Sequence, residues 1–233
     1  MFKNLCSQEQ EEALITKRTP HRDALRILFV FNAGGTPCAV PAEPEIVSIF
    51  KGETRLWAFD FWMRNPDYLA AELLDMFEQN GDNVYLQAAE SIFENDEPDL
   101  RRVPMIRYLF GAYDRMDDSL SLLRSRDLIR ITGLKSNTKV RETDFLLTAK
   151  GKEVCTSAVT QEPILKWYAD RAELVARVAG DRGGTALKHQ QYERATYAET
   201  KYGGVIPPIT SDVHQRLKQL VETASEDTNG QIE

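Results

Sequence analysis

The chain has 233 residues, 42% hydrophobic and 28% charged, with a formal net charge of -7. That length fits one compact domain or two small ones, and a mean hydropathy of -0.42 points to a soluble protein. No apolar run approaches the roughly 20 residues needed to span a bilayer, so no membrane segment is expected.

Residues 1–19 are polar, carry acids and lack an apolar signal core, so they are expected to be peripheral and not a secretory signal. His21 to Asn32 places Leu25, Leu28, Phe29 and Asn32 on one helical side, and Ile27, Val30 and Phe31 widen the apolar face. A band that wide fits a central helix or a buried strand, and periodicity alone does not separate the two. Thr36 to Pro44 holds three prolines and reads as an irregular loop. Glu45 to Phe50 is a short helical turn or strand.

Thr54 to Arg64 carries Leu56, Phe59 and Met63 on one helical face, with Trp57, Phe61 and Trp62 on others. Asn65-Pro66 breaks this pattern, and Pro66 opens a new helix that Gln79-Asn-Gly-Asp-Asn ends. Val84 to Phe93 is a further helix, and Glu94 to Arg102 an acidic loop. From Ile106 the apolar residues Leu109, Tyr113, Met116, Leu120 and Leu123 follow at alternating steps of three and four, which predicts one long helix. Pro104 suits its first turn, where a missing N–H costs little.

Leu128, Ile129 and Ile131 then predict a strand, Gly133 to Thr138 a turn, and Val140 to Leu147 a returning strand. Thr148 is a candidate cap for a helix through Lys152 and Val154. Helix, hairpin and helix from Pro104 to Val154 outline a winged-helix fold. Beyond it, Glu162 to Val178 is a helix, Leu187 to Tyr202 is helical in part, and Gly203 to Pro208 is extended. Ser211 starts a last helix ending near Ala224, with a disordered tail after it. The expected architecture is mainly α with a small β-hairpin, a winged-helix core with flanking helices. Its expected divisions are a peripheral 1–20, a core domain 21–155, a helical extension 156–225 and a disordered tail 226–233.

The net charge hides an asymmetry. From Arg101 to Lys152 there are 12 Lys and Arg against 6 Asp and Glu, while from Glu43 to Asp99 there are 3 against 14. Such a contrast can mark a nucleic-acid face or a docking face for an oppositely charged protein. Arg124, Arg126, Arg130, Lys135, Lys139 and Arg141 flank the expected helix end, strand and wing. They are the candidate contacts to double-stranded DNA, where a wing reaches an adjacent phosphate run. The bland alternative is a solvated rim, or pairing with Asp117, Asp118, Asp127 and Asp144. Asp114, Asp117 and Asp118 in the long helix would repel phosphates.

Trp57, Phe61, Trp62 and Tyr68 cluster within twelve residues. Exposed, such aromatics dominate protein–protein hot spots; buried, they fill a core. The Leu56 to Met63 helix is apolar nearly all round, so a partner surface is the expectation weighed against the core.

Nothing points to catalysis. The histidines His21, His189 and His214 have no metal-ligand partner at helical spacing, and the Asp212 beside His214 sits on a polar terminal helix. No serine has the surroundings of a nucleophile elbow. Gly34-Gly35 and Gly183-Gly184 lack the spacing and lysine of a phosphate-cradling loop. The set Asp60, Asp67, Glu72 and Asp75 reads as a solvated helix face. Cys6, Cys38 and Cys155 are odd in number and widely spaced, against a disulfide framework or a zinc site and toward a reducing cytoplasm. No catalytic residue, cofactor or metal is expected.

Two segments carry a family resemblance. Leu56-Trp-Ala-Phe-Asp-Phe-Trp-Met-Arg-Asn-Pro-Asp-Tyr-Leu-Ala-Ala-Glu-Leu-Leu resembles a segment of the small winged-helix middle components of three-component systems built on ABC-type ATPases. Leu120-Ser-Leu-Leu-Arg-Ser-Arg-Asp-Leu-Ile is similar to their helix-to-strand junction, and Ala24-Leu-Arg-Ile-Leu-Phe to their opening helix. The resemblance covers roughly residues 21–155 and adds nothing beyond them. It implies a component without activity of its own that bridges an SMC-like ABC ATPase and an effector, often a nuclease. The Lamassu anti-phage and anti-plasmid defence systems are of this kind. The alternative is a winged-helix transcriptional regulator that reads DNA as a homodimer through Arg124 to Arg141.

Overall fold

The computed structural model describes residues 20–38, 43–108, 111–136 and 139–230, with backbone alone at 134–136, 139–142 and 226–230. It is mainly helical, with a small antiparallel sheet. The chain divides into two compact units, each made of two segments: Met1–Lys51 with Arg115–Ala169, and Gly52–Asp114 with Asp170–Glu233.

The first unit opens with α1 (Pro20–Gly34), where Pro20 stands in the first turn. The wide apolar band of 21–32 is thus a helix, and Ile27 to Phe31 are all buried. Strands β1 (Thr36–Pro37) and β2 (Ile46–Lys51) follow. The three-proline loop is therefore partly strand; residues 39–42 lie outside the described residues.

After the second unit's first segment come α6 (Asp117–Ser125), β5 (Ile129–Ser136), β6 (Lys139–Thr148) and α7 (Ala149–Gln161). The four-stranded sheet has the order β1-β2-β6-β5, all neighbours antiparallel. β2 therefore pairs with β6, not with the strand next in the chain. Its register sets Phe50 opposite Phe145 and Ile49 opposite Leu146. Phe31 of α1 lies 4.9 Å from Phe145 and 5.4 Å from Phe50, ring centre to ring centre. Each such aromatic pair contributes about 0.5–1.5 kcal/mol beyond simple burial.

The junctions here follow local chemistry. Leu128 N–H donates to the Leu123 carbonyl and closes α6, with Asp127 at φ +54. Thr148 Oγ1 accepts from Gly151 N–H at 3.0 Å and donates to the carbonyls of Asp127 and Leu128. The expected cap of α7 is therefore also the tie between the two strand ends. Gly151 is required by space: a Cβ there would meet the Leu128 carbonyl oxygen at 2.2 Å. A 3-10 turn (Pro163–Leu165) leads to α8 (Lys166–Ala179), in place of one continuous helix from Glu162. Phe29 stacks on Tyr168 of that helix.

The second unit begins with α2 (Glu53–Arg64) and α3 (Pro66–Asn80). Asn65 separates them: its backbone N–H and its Nδ2 both donate to the Phe61 carbonyl, each at 2.9 Å. Pro66 then starts α3 at the one position where its missing N–H costs little. Gly81, in the left-handed conformation, ends α3, and the Asp82 side chain caps α4 (Asn83–Glu94). A four-residue helix, α5 (Glu97–Leu100), interrupts the expected acidic loop.

Here the sequence expectation fails. The long helix from Ile106 to Leu123 does not exist. Its first half is a hairpin of β3 (Ile106–Tyr108) and β4 (Gly111–Tyr113), and only α6 remains of the helix. The cause is pairing with the far end of the chain. Arg107 N–H donates to the Gly204 carbonyl, Gly203 N–H to the Arg107 carbonyl, and Ile206 N–H to the Met105 carbonyl. Gly111 at φ +118 has Tyr197 Oη 2.6 Å from where a Cβ would stand. Backbone partners a hundred residues away outweigh a local periodicity. Pro104 lies outside any helix, its carbonyl accepting from Arg64.

The unit is completed by α9 (Gly184–Tyr192), α10 (Ala195–Glu199) and α11 (Thr210–Gly230). α11 runs past the expected end near Ala224 and into the segment expected to be disordered; 231–233 lie outside the described residues.

Candidate functional site

The aromatic cluster carries the interface expectation. The structure assigns most of it to the core. Phe61 and Trp62 are 0% exposed and Tyr68 1%; only Trp57 is half-buried. Phe61 meets Tyr68 at 4.9 Å and Tyr197 at 5.2 Å, both edge-on, and Trp57 meets Tyr113 at 5.5 Å. Phe61, Trp62 and Tyr68 are therefore not a docking face. The helix is apolar all round because elements from both segments of the unit surround it.

The acidic set on the same helices is also corrected. Asp60, Asp67 and Glu72 are at most 1% exposed, not a solvated face. A carboxylate buried that deeply needs partners. Arg64 Nη1 lies 3.2 Å from Asp60 and 2.5 Å from Asp114, and its other nitrogens donate to the carbonyls of Val103 and Pro104. Asp67 accepts from Tyr68 N–H, from Ile209 N–H at 2.7 Å and from Thr210 Oγ1, so it anchors the start of α11. Tyr68 Oη donates to the Pro207 carbonyl, and burial raises its phenol above the ordinary range. Tyr197 Oη accepts from Ala112 N–H. The run Arg64-Asn-Pro-Asp-Tyr-Leu is buried throughout and ties α2 and α3 to three distant parts of the chain.

A second network runs along α3. Glu72, Asp75 and Glu78 lie three residues apart on one face. Glu72 accepts from Gln190 Nε2 and Arg194; Asp75 accepts from Arg194 and Arg216; Glu78 accepts from Arg216. Burial raises the Glu72 carboxyl above 4.5, with Arg194 opposing. Burial alone would lower the Arg194 guanidinium, but Glu72 and Asp75 together hold it above its usual value. Arg171 and Glu97 form a further buried pair, in which burial pulls the guanidinium down. All these partners lie too far along the chain for spacing to reveal them.

The basic candidates belong to the first unit. Arg124 and Arg126 are exposed at the end of α6. Arg130 is already engaged: Glu43 and Glu45 each lie 2.5 Å from its guanidinium and Asp127 3.5 Å. Asp127 was within reach of the sequence reading; Glu43 and Glu45 arrive through the β2–β6–β5 order, which was not. Lys135, Lys139 and Arg141 lie on β5 and β6, where the side chains fall outside the described residues. Asp117 and Asp118 occupy the first turn of α6, exposed, with Arg115 3.3 Å from Asp117.

His21, His189 and His214 are exposed, and His214 stacks on Phe93 at 4.9 Å. Cys38 and Cys155 are free thiols; burial pushes Cys155 up to about 12, which makes it unreactive. Cys6 lies outside the described residues. Gly183-Gly184 opens α9 against the first turn of α2. Among the described residues no three His, Cys, Asp or Glu are placed to hold a metal ion, and no helix is long and apolar enough to cross a membrane. Comparison of the chain with protein-family models, curated proteins and solved structures finds no match, so the resemblance over 21–155 stands on its motifs alone.

Proposed function

We propose that this chain is a non-catalytic adaptor that bridges an SMC-like ABC ATPase and an effector nuclease in an anti-phage or anti-plasmid defence complex of the cytoplasm. In this reading the first unit is a winged helix, with α6 before the wing and β5–β6 as the wing. Pairing of β2 with β6 supports that assignment. The observation that carries the proposal is the burial of Arg64 to Leu69. The motif that gives the resemblance is spent on assembling a helical body inserted between β2 and α6. Its ionisable groups hold backbone and each other, as the parts of a scaffold do.

The alternative, a DNA-binding regulator, draws support from the exposed Arg124 and Arg126. The adaptor reading is preferred because Arg130, central to that face, is neutralised by three carboxylates within the chain.

The test is affinity purification of the tagged chain from its host, with mass spectrometry of what co-purifies. A stoichiometric large ABC-type ATPase with a second subunit is expected. Recovery of the chain alone, or only with DNA that salt removes, overturns the adaptor and favours the regulator.

A further inference from the structure

The β3–β4 hairpin of the second unit leaves one of its faces exposed. Arg107 N–H donates to the Gly204 carbonyl and Gly203 N–H to the Arg107 carbonyl, so the chain after α10 lies alongside β3, with Val205 opposite Ile106. Ile106 is also opposite Tyr113 of β4. Side chains alternate across a strand, so Ile106, Tyr108, Tyr113 and Val205 share one face. Arg107 and Ala112 take the other, Arg107 over the Tyr192 ring and Ala112 buried.

The shared face is rich in aromatic rings that touch one another. Tyr202 lies 4.9 Å from Tyr108, Tyr108 5.2 Å from Tyr113, and Tyr113 5.5 Å from Trp57. Tyr108 is 39% exposed, Val205 44% and Tyr202 60%. The two tyrosines together bare about as much surface as one whole tyrosine, on the order of 200 Å². Apolar side chains scattered singly over a surface are ordinary, whereas contiguous ones mark a binding site. The backbone bonds on either side of β3 hold the rings in place, and a surface already ordered keeps more of its gross binding energy.

We propose that this aromatic row docks a proline-rich segment of a partner protein, flanked by Lys or Arg. Proline rings pack flat on aromatic faces. A polyproline II segment is ordered before it binds, and its carbonyls are free to accept from tyrosine hydroxyls. The charge decides between this ligand and a row of stacked bases. The second unit has 13 Lys and Arg against 23 Asp and Glu, so it repels a polyanion and attracts cationic flanks. Exposed carboxylates also lie near the row: Glu53 one helical turn before Trp57, and Glu199 three residues before Tyr202, with Lys201 the exposed cation beside it. A sugar chain is disfavoured because the neighbours on this face, Ile106 and Val205, offer no polar groups to its hydroxyls. The proposal concerns the chemistry of the docked segment and stands apart from the ATPase of the adaptor reading.

The test uses the full chain and a synthetic peptide of about 12 residues, with Pro at every third position and Arg at both ends, so that the prolines line one side of the helix. The controls are a Gly/Ser-for-Pro analogue, a Glu-for-Arg analogue, an oligothymidylate and a neutral glucan oligosaccharide. Calorimetry gives affinity, and hydrogen exchange reports which amides are protected. We expect one-to-one binding of the Pro/Arg peptide, slowed exchange in β3 and β4, and binding weaker by roughly tenfold or more for every control.

Tyr202→Ala and Tyr108→Ala each weaken binding of the Pro/Arg peptide by about the same factor. Should Tyr108→Ala lower the melting temperature, the more exposed Tyr202→Ala decides. Equal binding of the Gly/Ser analogue overturns the proposal and leaves only general attraction to an acidic unit. Unchanged affinity in Tyr202→Ala overturns it by placing the peptide elsewhere. Oligothymidylate or glucan binding that Tyr202→Ala abolishes, with the peptide unbound, overturns it in favour of that ligand. Self-association lost in Tyr202→Ala, with the peptide unbound, overturns it in favour of a second copy of this chain.

Discussion

The two units solve one problem in different ways. Each is built from two segments far apart in the chain, and each must join them. The first unit joins them with backbone: β2 from one segment pairs along β6 from the other, and Phe31, Phe50 and Phe145 fill the space above. The second has only a short backbone join, Met105 and Arg107 to Gly203, Gly204 and Ile206, and adds to it a set of side-chain ties: Asp67 to Ile209, Glu72 to Arg194, Asp75 to Arg216, and Glu97 to Arg171. A strand ladder is satisfied by any sequence with the right alternation, so its polar groups leave little trace in composition. A buried ion pair depends on two particular residues and becomes costly when one is lost. The second unit should therefore be the more sensitive to single polar substitutions.

Arg64→Met breaks this contrast most severely. It takes the Arg64 guanidinium from Asp60 and Asp114 and from two backbone carbonyls, at a cost of about 3–5 kcal/mol. Urea unfolding followed by near-ultraviolet circular dichroism should show that loss. A cost under about 1 kcal/mol would mean the ion pair is decorative.

Trp62→Ala tests whether the aromatic helix is core. We expect about 3–5 kcal/mol from the lost burial and the cavity, and a smaller cost for the half-buried Trp57→Ala. Equal and small losses in both would return the helix to the surface.

In the first unit Thr148→Ala removes the cap of α7 and the tie to Asp127 and Leu128. About 1–2 kcal/mol is expected in the denaturation midpoint.

Glu72 supplies a pH test of the side-chain network. Its carboxyl holds a proton to higher pH folded than unfolded. Its contribution to stability is therefore intact below 4.5 and declines as pH rises through the raised value. Glu72→Gln cannot titrate, so it should gain on the wild type as pH rises through that window. Parallel stability curves for the two proteins would show that burial does not dominate this group.

The smallest effect belongs to Arg126→Ala. This residue is exposed, and a change within about 0.5 kcal/mol is expected in the melting curve. The same variant should reduce affinity for duplex DNA and flatten its salt dependence only if the α6 end meets phosphates.

Features governed by neighbours in sequence were legible without a structure. Asn65-Pro66 stops one helix and starts the next, because the Asn65 amide satisfies a carbonyl at the end of α2 and proline fits the first turn of α3. The Gly81 stop, the Thr148 cap and the β5–β6 hairpin are of the same kind.

What only the tertiary structure decided depends on distant partners. The spacing from Ile106 to Leu123 satisfies a helix as well as anything in the chain, yet Gly203 to Ile206 pairs with its first part and makes it a strand. The charges of Asp67 and Glu72 look solvated until Ile209 and Arg194 close on them, and Asp60, with Arg64 one helical turn away, looks solvated until the fold buries the pair. Arg130 looks free until the strand order brings Glu43 and Glu45 alongside. A sequence states which residue can pair, because that is chemistry carried by each side chain. Whether a residue does pair is set by which segments the folded chain brings within about 3 Å, a distance at which hydrogen bonds act and which linear spacing does not encode.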